Sequence, residues 1–189
     1  MKLPFLPSAD GHMRFATVAL FLLIALFMFA QPLLAQQPAK PINWSPFQFL
    51  LGEWVGEGSG DPGQGTGGFS FALELQNTIL VRKNYADYPA TKDRPAFSHN
   101  DLMIVCREGE SFRAVYFDNE QHVINYTVSF SKDSSAFVFT SDVKSGTPRF
   151  RLTNTKQGTD SMMITFEIAP PGQPEAFNRY IDAVARRKK

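Results

Sequence analysis

Few residues in this chain have obvious chemical potential. His99 and Asp101 stand two apart, so they share one face of any strand that holds them, and His122 opens a later strand. Two imidazoles and a carboxylate could serve as a metal site or an acid–base group. A metal site wants three or more convergent ligands, and nothing in the spacing of these residues shows convergence, so they are read as structural or solvent-facing. Cys106, the only cysteine, shares a face with Leu102 and Ile104, the setting of a buried, inert thiol. No serine carries a Gly-x-Ser-x-Gly surround. The glycine-rich Ser59–Gly68 stretch lacks the Gly-Lys-Ser/Thr that a phosphate-cradling loop needs. No catalytic or metal-binding residue is assigned.

A ligand cavity is the other chemistry to consider. Tyr116 and Tyr126 fall on the faces that carry Phe112 and Ile124, so they could send polar tips into an otherwise apolar interior. Arg82, Arg113 and Arg149 are the candidate inward cations; strand parity favours outward for the last two and is ambiguous at Arg82. Tyr116, Tyr126 and Arg82 are therefore the candidate ligand-binding residues. Most of the eighteen Phe are read as core filling.

The elements that must position these residues are strands. Phe69, Phe71, Leu73 and Leu75 alternate with polar or small residues, as do Ile124–Phe130 and Met162–Ile168, which is the period of half-buried strands. Hairpin-sized turns punctuate them at Gln76-Asn77, Glu108–Glu110, Asn119-Glu120, Lys132–Ser134, Ser145-Gly146 and Gln157–Thr159. Glu175–Ala185 is the last strand, needed to close on the first. The pattern predicts an all-β chain of about ten short antiparallel strands, closing as an up-and-down barrel. A short plug helix over Phe47–Leu51, with Ser45 as its cap and Pro46 at its first position, would precede the barrel.

The first 35 residues read as a secretory signal. Lys2 and Arg14 precede an apolar run from Phe15 to Ala30, and Leu33-Leu34-Ala35 ends in a small residue. The run is short for a membrane span and is closely followed by Pro32, so cleavage is expected rather than anchorage. Residues 36–44 are a linker, and residues 45–189 form the domain. Without Lys2, Arg14 and Asp10, the 19 basic and 18 acidic residues become 17 and 17. That balance argues against nucleic acid or an anionic membrane surface as partner. The expected location is periplasmic or secreted. With one cysteine there is no intrachain disulfide, so the core must hold the fold.

The stretch Leu51-Gly52-Glu53-Trp54-Val55-Gly56-Glu57-Gly58 resembles the first strand of the calycin barrels, the lipocalins and fatty-acid-binding proteins. It is closest to nitrobindin-like and bacterial lipocalin-like domains. The resemblance gives Trp54, Gly52 and Gly56 structural roles, and the alternate glycines read as places where a crossing strand comes close. It implies a barrel that binds a small apolar or amphipathic molecule. Nitrobindin holds haem on a histidine near its C-terminus; this chain has no histidine after His122, so haem is not carried over and no cofactor is expected. The alternatives are an isomerase- or cyclase-type enzyme on the same barrel, or a ligand-free structural module.

Overall fold

A computed structural model of the chain describes residues 40–57 and 65–189. The signal segment, residues 36–39 of the linker and residues 58–64 of the glycine-rich loop lie outside the described residues.

Ten strands form one closed antiparallel barrel. They are β1 (Gly52–Glu57), β2 (Thr66–Glu74), β3 (Ile79–Tyr88), β4 (Phe97–Glu108) and β5 (Ser111–Asp118), then β6 (Val123–Phe130), β7 (Ala136–Ser141), β8 (Arg149–Lys156), β9 (Ser161–Ala169) and β10 (Asn178–Arg187). Each strand pairs with its neighbours in sequence, and β10 returns to β1, with Trp54 opposite Arg187 and Gly56 opposite Ala185. Closure leaves no strand edge unpaired. A register shift between Arg179 and Ile181 marks a bulge in β10. β10 begins three residues later than the sequence suggests, because Glu175–Phe177 belongs to the preceding loop.

Two expectations about local structure need correction. The plug is a single 3-10 turn over Ser45–Phe47, not a helix over Phe47–Leu51. Trp44 takes the cap position, and Ser45 sits inside the turn with its N–H donated to Asn43 Oδ1 at 3.0 Å. Leu75 is not a buried strand residue either: it is 69% exposed. Leu75, Gln76 and Asn77 all take positive φ (48°, 57° and 62°), which swings Leu75 off the inner face. Trp44 braces this turn through its indole N–H, donated to the Asn77 carbonyl at 2.7 Å.

One end of the barrel is solid. Phe47 packs against Phe112, Phe130 and Phe137 at ring separations of 4.9, 5.1 and 6.1 Å, and Trp44 covers Phe112 at 5.3 Å. Leu50 and Trp54 are buried beside them. The Trp54 indole donates to the Leu50 carbonyl at 2.9 Å and lies under the Arg187 guanidinium, 4.3 Å from the ring centre.

The glycines divide differently from the sequence expectation. Gly52 has φ +107°, a backbone state that side chains resist, and Arg187 crowds the space where a Cβ would stand. At Gly56 an added Cβ would meet only the Gly67 carbonyl at 3.5 Å, an ordinary contact, so no crossing strand explains it. The close approach is on β2. A Cβ at Gly67 would lie 2.6 Å from the Tyr85 carbonyl, and one at Gly68 2.6 Å from that of Trp54. Cys106 lies on the outer face and is only half-buried, because Met103 and Val105 take the inner positions of β4.

Candidate functional site

Strand parity and register bring a polar network into the barrel interior. On β3 the inner positions include Leu80, Arg82 and Asn84; on β4, His99, Asp101 and Met103; on β5, Ala114, Tyr116 and Asp118. Arg82, 8% exposed, pairs with Asp101 and donates a second bond to Asn84 Oδ1 at 3.0 Å. Asn84 Nδ2 completes the triangle by donating to Asp101 Oδ2 at 2.8 Å. Burial opposes the charge on Asp101, but Arg82 and then His99 outweigh it and hold the carboxyl below its usual range.

His99 extends the network toward the open rim. Its Nε2 lies 3.1 Å from the Tyr116 hydroxyl and 3.5 Å from Asp101 Oδ2, and its Nδ1 lies 2.7 Å from Glu120. The bond to Asp101 raises the imidazole to about 9 against the cost of burial, and Glu120 adds to the rise. At neutral pH His99 is therefore an imidazolium, donating to Glu120 and to the Tyr116 oxygen. Tyr116 then gives its own proton to Asp118 Oδ2, 3.2 Å away. Asp118 also accepts from the backbone N–H of Glu120 and His122 and contacts His122 Nδ1 at 2.8 Å. Burial, followed by the charges of Asp101 and Asp118, pushes the Tyr116 phenol far up, so it stays neutral.

His99 and Asp101 lie side by side, whereas His122 touches neither and joins them only through Asp118 and Tyr116, in a chain of hydrogen bonds. Among the described residues no group of three His, Cys, Asp or Glu side chains is placed to hold a metal ion. Arg82 resolves to the inner face, joined to Tyr116 through Asp101 and His99. Tyr126 is buried one row deeper, its ring 6.3 Å from that of Tyr116, and burial pushes its phenol up as well. Its hydroxyl has no hydrogen-bond partner among the described residues. Arg113 and Arg149 point outward, as parity requires, to Asp142 and Glu175.

Facing this polar wall is an apolar one. Phe150 and Leu152 of β8 and Ile164 and Phe166 of β9 take inner positions, with Phe150 stacked on Phe166 at 5.9 Å. These four side chains remain partly exposed, although the strands around them are fully paired. Inner residues nearer the plug, such as Phe137, Phe139 and Met162, are completely buried. Inward side chains of a closed barrel can reach solvent only through the interior, so the interior is solid at the plug and open toward the other end.

A separate open groove of about 580 Å³ lies at the rim, against Tyr88, Phe97, Asp87 and Ser98. The polar network does not line it, so it is not the site. Arg94 covers the stacked Tyr88 and Phe97 rings there, 4.6 Å from the Phe97 centre.

Sequence reasoning missed Asn84, Glu120 and the Phe150–Ile164 wall. Asn84 was legible, since it stands two residues from Arg82. Glu120 sits on a turn, and only the fold brings it to His99.

The network makes stability depend on pH with a definite sign. His99 has a raised folded-state pKa, so its contribution is complete below the unfolded value of about 6.5 and is lost as pH rises toward 9. Asp101 behaves oppositely, contributing above about pH 4 and losing its effect as pH falls through its depressed folded value. Thermal melts should therefore hold level from about pH 5 to 6.5 and decline from there to pH 9. His99→Gln should flatten the alkaline decline; an unchanged slope would show that His99 does not carry it.

No protein-family model matches the chain, and no curated protein matches it by sequence.

Proposed function

We propose that the barrel binds a small, uncharged, apolar or amphipathic molecule in the open half of its interior. The observation that carries this reading is the partial exposure of Phe150, Leu152, Ile164 and Phe166 inside a closed barrel sealed at its other end. Barrels of eight or more strands can keep room for one small ligand. The charge arrangement sets the class of ligand. Arg82 is matched by Asp101 and His99 by Glu120, so neither cation of the network is left over for a carboxylate. Tyr126 offers an uncommitted hydroxyl beside an apolar wall, which suits a neutral molecule with a polar group. On the strength of the leader segment, the binding protein would act outside the cytoplasm, in the periplasm or secreted.

Acid–base catalysis of isomerase or cyclase type is the second reading. One observation favours it: the phenol–imidazole–carboxylate chain Tyr116–His99–Glu120. Against it, each transferable proton of that chain is already donated within the network.

Native mass spectrometry of protein purified from its own compartment tests the binding reading. A single co-purifying neutral small molecule at about one per barrel supports it, whereas a tightly held anion or cation would contradict it. Tyr126→Phe removes only the unpartnered hydroxyl. It should weaken retention of a polar ligand by a few-fold, the scale of one net hydrogen bond of about 1 kcal/mol. The melting temperature should stay within about a degree or two of the parent, since one hydroxyl with no partner contributes little.

A further inference from the structure

Among the described residues, one side-chain nitrogen or oxygen that is itself wholly shut off from solvent has no hydrogen-bond partner: Nδ2 of Asn154, a residue 2% exposed. A buried amide in this state is costly unless something satisfies it. Asn154 is an inner residue of β8, opposite Phe137 of β7 and Ile164 of β9. Phe137 belongs to the solid packing around Phe47, and Ile164 belongs to the partly exposed wall. The amide therefore lies where the filled core gives way to open interior, at the floor. Phe150, Leu152 and Asn154 are successive inner positions of β8, and an apolar residue at the third would continue the pattern. The sequence instead places there a group with two donors.

We infer that Asn154 is the inner recognition point of the site, donating its Nδ2–H to a carbonyl or hydroxyl oxygen at the buried end of an uncharged, otherwise apolar ligand. This rests on the proposed binding of a small molecule in the same interior and adds an orientation to it. The oxygen goes in first, and the hydrocarbon lies along Leu152, Ile164 and the stacked Phe150–Phe166 pair. The charged network stands nearer the rim than this floor and is self-paired, so it does not compete for that oxygen.

The test uses N-phenyl-1-naphthylamine, an uncharged probe that fluoresces in apolar surroundings, displaced by two competitors of the same shape. 2-Undecanone carries the oxygen, and 2-methyl-1-undecene replaces it with a methylene. In the parent protein the ketone should compete about threefold to tenfold better than the alkene, the range of one net hydrogen bond. In Asn154→Leu the probe should still bind and the two competitors should become equal. The ligand-free variant should also melt no lower than the parent, because an unpaired amide has been exchanged for an apolar group of similar branching. Probe binding without a ketone preference in the parent, or a preference that survives in Asn154→Leu, would overturn the role of Asn154 and leave the binding reading standing. A clear drop in the variant's melting temperature would overturn it too, since the amide must then already have a partner such as a trapped water. If neither probe nor competitor binds the parent, the binding reading itself falls, and this inference with it.

Discussion

Trp54→Ala should lower the melting temperature by roughly 6 to 20 °C. Large-to-small replacement of a buried aromatic costs about 3 to 5 kcal/mol, and a domain of this size loses about 2 to 4 °C for each. Trp54 is placed to bear the full cost. Its ring is buried against Phe49 and Phe69, its N–H holds the Leu50 carbonyl, and Arg187 of the closing strand lies across its face. Losing it loosens the plug and the β1–β10 seam together. A calorimetric scan of the variant checks this, and a melt like the parent's would mean that the indole does not hold the seam.

The second large effect is expected at Arg82. Arg82→Met should destabilise the barrel by about 3 to 5 kcal/mol, because it takes from the buried Asp101 carboxylate the stronger of its two cationic partners. Asp101 side-chain exposure is only 4%, so water offers little relief. The double variant Arg82→Met/Asp101→Leu should recover most of that loss, since replacing both partners of a buried pair with apolar groups is often neutral. Urea denaturation of the single and double variants measures the coupling. Additive losses would show that the pair is not a unit.

These two residues also show how far the sequence could be read. The strand period was plain where one face is wet, as in Ile124–Phe130, and the closing strand followed from the need to pair β1. Arg82 was ambiguous because Leu80, Val81 and Arg82 are all buried, so alternation fails where it was needed. Leu75 was lost to three successive left-handed residues, none of them glycine. The alternate glycines of β1 drew attention to Gly56, while the tight contact with β1 falls on Gly68 of β2. His99 stayed opaque for a different reason. Its neighbours come from the β4–β5 register, which sets Tyr116 opposite Met103, and from a turn that brings Glu120 to the rim. Pairing of that kind depends on the fold, not on spacing along one strand.

Ligand binding requires that the half of the barrel away from the plug enclose room for a small molecule. Ile164→Trp measures it directly, because the larger side chain would project into that room from the middle of β9. Overpacking a filled core costs about 1 to 3 kcal/mol or more, whereas an empty interior accepts the indole. Titration with N-phenyl-1-naphthylamine should show about one probe per barrel in the parent and none in Ile164→Trp, with both proteins melting within about 3 °C of each other. A parent that takes up no probe, or a variant that unfolds because the indole has nowhere to go, would mean that the interior is filled and holds no ligand.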